Sequence, residues 1–147
     1  MVDINTQTLS FELVSPERKL ISEQVRMVVI PGEEGDFGVL PNHSSLISTI
    51  RTGVLEVHGK DENAAPRRIF IAGGFADVSA MNCTVLAEDA VDVADLDEAA
   101  LEKEIKNLTE DLDLASGDEA LAEVHRRLSL AKARLSAVRN ELIAAYS

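Results

Sequence analysis

Residues Pro31 to Val57 read PGEEGDFGVLPNHSSLISTIRTGVLEV, and their reading decides the fold. The stretch follows an apolar run, Met27-Val28-Val29-Ile30, and ends in an alternating one, Val54-Leu55-Glu56-Val57. Gly32, Gly35 and Gly38 stand at every third position with Glu33, Glu34 and Asp36 between them. Glycine tolerates positive φ, so the segment predicts a sharply folded loop between strands. A phosphate cradle would need a lysine and a following helix. Here the charges are acidic and a strand follows, which favours a loop that meets polar or basic groups on another protein.

Outward from this loop, the chain up to about residue 90 predicts an all-β domain. Leu9 to Val14 alternates as a half-buried strand does. Gln24 to Ile30 predicts one strand ending at Pro31, and Ser45–Thr49 and Val54–His58 predict two more, split by Gly53. Arg67–Ala72, Phe75–Val78 and Cys83–Ala87 complete the set. Short strands with closely spaced turns point to a sandwich or barrel. Gly73-Gly74 marks either a bulge or a close backbone approach.

From Val91 the period changes to that of helices. Leu101, Ile105, Leu108, Leu112 and Ala115 form one stripe; Leu121, Val124, Leu128, Ala131, Leu135, Val138, Leu142 and Ala145 form another. Two such stripes predict a helix–helix seam. Asp95 with Glu98 suits the first N-terminus, Gly117 the first C-terminus, and Ser116 or Asp118 the second N-cap. So short a break predicts an antiparallel hairpin. The expected organisation is therefore a β-sandwich over residues 1–90 and a two-helix hairpin over 91–147.

Charge divides the hairpin. Asp92 to Glu123 is acidic apart from Lys103 and Lys106, whereas Arg126, Arg127, Lys132, Arg134 and Arg139 follow with no acid between them. Closed, a basic helix faces an acidic one; opened, it would offer cations to an acidic partner. The plainer alternative is a solvated face with weak salt bridges.

The 147 residues carry a formal charge of −12 and are 46% hydrophobic, a globular composition whose acidity argues against nucleic acid or anionic lipid as direct partners. The lone Cys83 excludes an internal disulfide and suits a core strand. The beginning of the sequence lacks a basic region with an apolar signal core, so a cytoplasmic chain is expected. His43 lies near Ser44, Ser45 and Asp36, but no nucleophile-elbow motif accompanies it, and His58 and His125 fall in other elements. A structural or interfacial histidine is favoured over a hydrolase base or metal ligand.

Pro31, Gly32, Glu34, Gly35, Gly38, Val39, Pro41, His43 and Gly53 resemble, in order, the motif of the epsilon subunit of the F-type ATP synthase. Gly73-Gly74 and Leu86-Ala87-Glu88 match the family too. The resemblance implies a non-catalytic rotor subunit without a cofactor, lying peripherally on the cytoplasmic side of the bacterial inner membrane. Its implied partners are the gamma subunit, the c-subunit ring and, through extended helices, the alpha/beta catalytic head. It assigns the c-ring contact to Glu34, Gly35, Asp36, Phe37 and Gly38, and the gamma contact to the region of Pro41 and His43. Arg126, Arg127, Lys132 and Arg134 become candidates for an inhibitory contact with beta. Some members bind ATP at the hairpin through D-x-x-R-A. Here Asp97-Glu98-Ala99-Ala100-Leu101 has Ala100 in place of the arginine, so the charge-assisted phosphate bond is missing and ATP binding is not expected. Two other classes compete: a free-standing adaptor with a coiled-coil arm, and a small hydrolase using His43.

Overall fold

The computed structural model describes residues 7–140. Its elements are β1 (Leu9–Val14), β2 (Lys19–Val25), β3 (Met27–Gly32), β4 (Gly35–Val39), β5 (Leu46–Thr49), β6 (Gly53–His58), β7 (Arg67–Val78) and β8 (Asn82–Asp92). A 3-10 turn (Val93–Asp95) and two helices, α1 (Glu98–Leu114) and α2 (Asp118–Val138), follow. The chain divides into two compact units between Asp92 and Val93. This is the expected class, a β-sandwich followed by a helical hairpin.

The strands pair in the order β2-β1-β8-β7-β6-β3-β4, with β5 also on β7. Neighbours are antiparallel except β1 and β8, which are parallel. β7 and β8 are the long strands, and they carry the fold from one layer into the other. β6 pairs with Arg67–Ile71 of β7, and β5 pairs with Phe75–Val78 of the same edge. Between those segments lie Gly73 (φ 76°) and Gly74 (φ 141°). The β7–β8 register is unbroken across them, with Ala72 opposite Asp89 and Gly74 opposite Ala87. The glycine pair is therefore a close approach and not a bulge. A Cβ on Gly74 would stand 2.1 Å from the Leu86 carbonyl oxygen. Strands that turn from one sheet into the next need such corners.

Several expected boundaries move for the same reason. Gln24–Ile30 is not one strand. Val25 pairs with Leu9 of β1, whereas Met27 pairs with His58 of β6, so the chain changes partners at Arg26. The two strands expected over Arg67–Val78 are one. The interruption between β5 and β6 is at Ile50–Thr52, and Gly53 begins β6. A Cβ there would meet the Pro31 side chain at 2.9 Å. Part of the presumed loop after Pro31 is itself strand, since Gly35–Val39 pairs with β3.

Alternation fills the sandwich. Leu9, Phe11 and Leu13 of β1, Val28 and Ile30 of β3, Leu55 and Val57 of β6, and Ile69 and Ile71 of β7 share one buried cluster. Each such side chain contributes roughly 1.5–3 kcal/mol on burial, so an aliphatic interior suffices without tryptophan. Cys83 belongs to this cluster. Burial, with a smaller contribution from the charge of Asp77, pushes its thiol up to about 12, which makes it an inert core residue.

In the helical unit, Leu108, Leu128 and Ala131 form the seam, flanked by Ile105 and Leu112. Ala133 and Ala137 are buried too, on a side of α2 outside the expected stripe. The caps differ from expectation. Asp97, not Asp95, caps α1, accepting from the Ala100 amide at 3.2 Å. Gly117 (φ 93°) is the N-cap of α2, and neither Ser116 nor Asp118 supplies a side-chain cap. Asp118 and Glu119 instead lie in the first turn, where they complement the helix dipole. Leu142 and Ala145, the last positions of the second stripe, lie outside the described residues.

Candidate functional site

The acidic stretch forms a hairpin. Pro31 pairs with Asp36 and Gly32 with Gly35, which leaves Glu33-Glu34 as a two-residue turn. Gly35 has φ 137° and so takes the backbone position a side chain would resist. Glu34, Gly35, Asp36 and Gly38 are exposed, and Phe37 is half-buried against the sandwich core. A Cβ on Gly32 would stand 2.8 Å from the Phe37 ring, so glycine there makes room for the anchor.

Arg51, which the sequence did not single out, grips this hairpin. Its Nη2 donates to Asp36 Oδ1 at 2.6 Å, and its Nη1 donates to the Gly32 carbonyl at 3.3 Å. Its backbone amide donates to the Pro31 carbonyl at 3.0 Å. Glu33 in turn donates its amide to the Thr49 carbonyl at 3.1 Å.

Pro41 and His43 lie just before β5. The Asn42 amide donates to the Ala80 carbonyl and holds this loop beside the end of β7. His43 is half-buried, with Nδ1 2.7 Å from the Ser44 carbonyl oxygen. A carbonyl only accepts, so Nδ1 carries the proton and the ring orders its own loop.

Beyond His43 the layer bears an apolar face that sequence reasoning missed. Ile47, Phe75 and Leu86 are 74%, 48% and 37% exposed, although all three are large and hydrophobic. Phe75 stands opposite Leu86 on β8 and Thr49 on β5, and Leu86 stands opposite Val14 on β1. A groove of ≈ 390 Å³ runs beside Phe75, Leu86, Val14 and Pro16. The alternation was legible, because Ala76 and Val78 are buried and put Phe75 on the other face. What hid the cluster was the pairing of four strands that brings these residues together.

In the helical unit, Arg126 and Arg127 are exposed and both bind Glu123 of their own helix, each at 2.9 Å. The hydrogen bond from Arg126, then that from Arg127, holds the Glu123 carboxyl below its usual value. Lys132 is exposed and Arg134 half-buried. The basic helix does meet the acidic one through Arg139, which pairs with Glu98 and Glu102 of α1. Asp97 and Ala100, the aspartate and arginine positions of the segment compared with the ATP motif, bond to each other as N-cap carboxylate and amide.

The sequence pattern of the ATP synthase delta/epsilon chain β-sandwich domain matches residues 8–93. Over more of its length the chain is similar to ATP synthase epsilon chains. That of Rhodospirillum centenum is 47% identical over 136 residues, covering 90% of this chain and 93% of that one. That of Parvibaculum lavamentivorans is 50% identical over 113 residues, covering 77% and 84%. Solved structures share the fold at lower identity. A chain of the Euglena gracilis mitochondrial ATP synthase (OSCP/F1/c-ring) has a TM-score of 0.68 at 22% identity, covering 82% of this chain and 75% of that one. A chain of the Tetrahymena thermophila enzyme, solved as central stalk and c-ring, has 0.62 at 15%, covering 90% and 98%. The protein is thus a two-unit chain built on the ATP synthase delta/epsilon sandwich. It belongs to the ATP synthase epsilon family.

Proposed function

We propose that this chain is a non-catalytic subunit of the rotating central stalk of an F-type ATP synthase, with its sandwich fixing the gamma subunit to the c-subunit ring. The observation that carries the proposal is the exposed apolar face of Ile47, Phe75 and Leu86 on a sandwich whose interior is already filled. Large hydrophobics gathered on one face are what a protein partner covers. The face continues from the loop of Pro41 and His43, and its natural occupant is gamma. The acidic hairpin, Glu34 to Gly38, offers carboxylates to basic groups at the membrane surface of the ring. No helix among the described residues is long and apolar enough to cross a membrane, and the subunit sits peripherally, on the cytoplasmic side. It needs no cofactor.

The helical unit acts as a brake on ATP hydrolysis. Opened, Arg126, Arg127, Lys132 and Arg134 would meet an acidic segment of beta in the alpha/beta head. The deciding experiment is affinity purification of the tagged chain from membranes. Gamma, the catalytic subunits and the c ring are expected with it, and the chain alone should hydrolyse no ATP. Recovery of none of those subunits would refute the assignment.

A further inference from the structure

We infer that Arg51 is the positioning residue of the acidic hairpin and that Thr49–Arg51 is the rigid link between the two docking surfaces proposed above. The inference rests on that functional reading for its partners, but not for its geometry. Thr49 ends β5, and Ile50 and Arg51 open the interruption before β6, where Ile50 makes an isolated bridge to Gly32. On one side this segment holds the hairpin at every step. The Thr49 carbonyl accepts from the Glu33 amide, Ile50 bridges Gly32, and the Arg51 amide donates to the Pro31 carbonyl. On the other side the Ile50 amide donates to the Gly74 carbonyl at 3.0 Å, at the corner of β7 immediately before Phe75. Three consecutive residues thus tie the acidic tip to the strand that carries the apolar face.

Backbone bonds alone fix the β3 arm of the hairpin, from Pro31 to Glu33. The arginine side chain fixes its far arm. By reaching both the Gly32 carbonyl and Asp36, the guanidinium spans β3 and β4 and closes the hairpin beside its turn. It also sorts the charges. Asp36 is neutralised by Arg51, while Glu33 and Glu34 make no ion pair among the described residues and stand exposed at the turn. The pair is solvated in the free subunit and so adds little to global stability. Once a partner excludes water from it, the same pair strengthens, and a hairpin already held in its docking shape loses less freedom on binding. A load applied at the tip then passes to β7 through hydrogen bonds and not through a flexible loop.

The test uses the full chain and the reassembled ATP synthase, with Arg51→Gln and Arg51→Lys. In the isolated chain, Arg51→Gln should speed exchange of the Glu33 amide about tenfold and leave those of Val28 and Val57 unchanged. In the assembled enzyme the same variant should lower protons pumped per ATP hydrolysed roughly threefold. Arg51→Lys, which keeps the charge opposite Asp36, should restore most of the pumping. Unaltered Glu33 exchange would overturn the inference, as would faster exchange throughout the sandwich, since Arg51 would then serve the fold in general. If the wild-type chain failed to assemble with gamma and the ring, the functional reading would fall, and the exchange measurement would still decide the role of Arg51.

Discussion

Arg139, the C-cap of α2, donates from Nε to Glu98 Oε1 at 2.6 Å in the first turn of α1. The same guanidinium reaches Glu102, one turn further along. The two carboxylates lie on one face because they are four residues apart. Together they clasp the open end of the helical hairpin, the end without a connecting loop. All three side chains are more than a third exposed, so solvent screening keeps each pair to ~0–1 kcal/mol. Arg139→Gln is therefore expected to cost about 1 kcal/mol. Faster hydrogen exchange at Ala100 and Leu101 is the readout, and raising salt should move the wild type the same way. Equal exchange in both proteins would show that the clasp holds nothing.

The corner of β7 admits no side chain. At Gly74, φ is 141° and a Cβ would approach the Leu86 carbonyl oxygen to 2.1 Å. Both faults are in backbone, which cannot swing aside. Gly74→Ala should lower stability by ~3 kcal/mol or more, measured by denaturant unfolding. Gly59→Ala is the control, because nothing lies within 4 Å of a Cβ there. Equal midpoints for the two variants would contradict the close-approach account.

Phe75 is half exposed while its neighbours Ala76 and Val78 are buried, so truncating it should spare the sandwich. Phe75→Ser is expected to change the unfolding free energy by less than ~1 kcal/mol and to weaken binding to gamma at least about tenfold. Calorimetric titration with purified gamma checks this. Undiminished affinity would remove the apolar face from the interface.

Glu123 provides a titration with a definite sign. Its folded-state pKa lies below the ordinary 4.5 because Arg126, then Arg127, hydrogen-bond the charged form. Whatever these bonds contribute is fully present above the unfolded carboxylate pKa. It is lost as pH falls through the lowered folded value. A carboxyl-carbon NMR titration should place the Glu123 midpoint below that of other surface glutamates. Arg126→Ala should raise it more than Arg127→Ala does. A midpoint indifferent to both arginines would show that the hydrogen bonds do not persist in solution.

Local chemistry wrote much of this protein into its sequence. The alternation of Leu9 to Val14, the heptad spacing of Leu101 and Leu108 and of Leu121, Leu128 and Leu135, the break at Ser116-Gly117 and the glycine-spaced acidic turn each depend on residues a few positions apart. Such short-range constraints are legible one after another, and so the sandwich and the hairpin of helices were too. What only the tertiary structure decided depends on partners far along the chain. Arg26 separates two strands because Val25 and Met27 pair into different layers. Gly73-Gly74 is a corner and not a bulge because β8 keeps its register past it. Arg51 reaches Asp36, and Phe75 meets Leu86, only after ladders have closed between residues 11 to 15 positions apart. A sequence states each residue's preference for a face or a turn; which distant residue shares that face is fixed by strand pairing and packing, and the docking surfaces are made of such pairs.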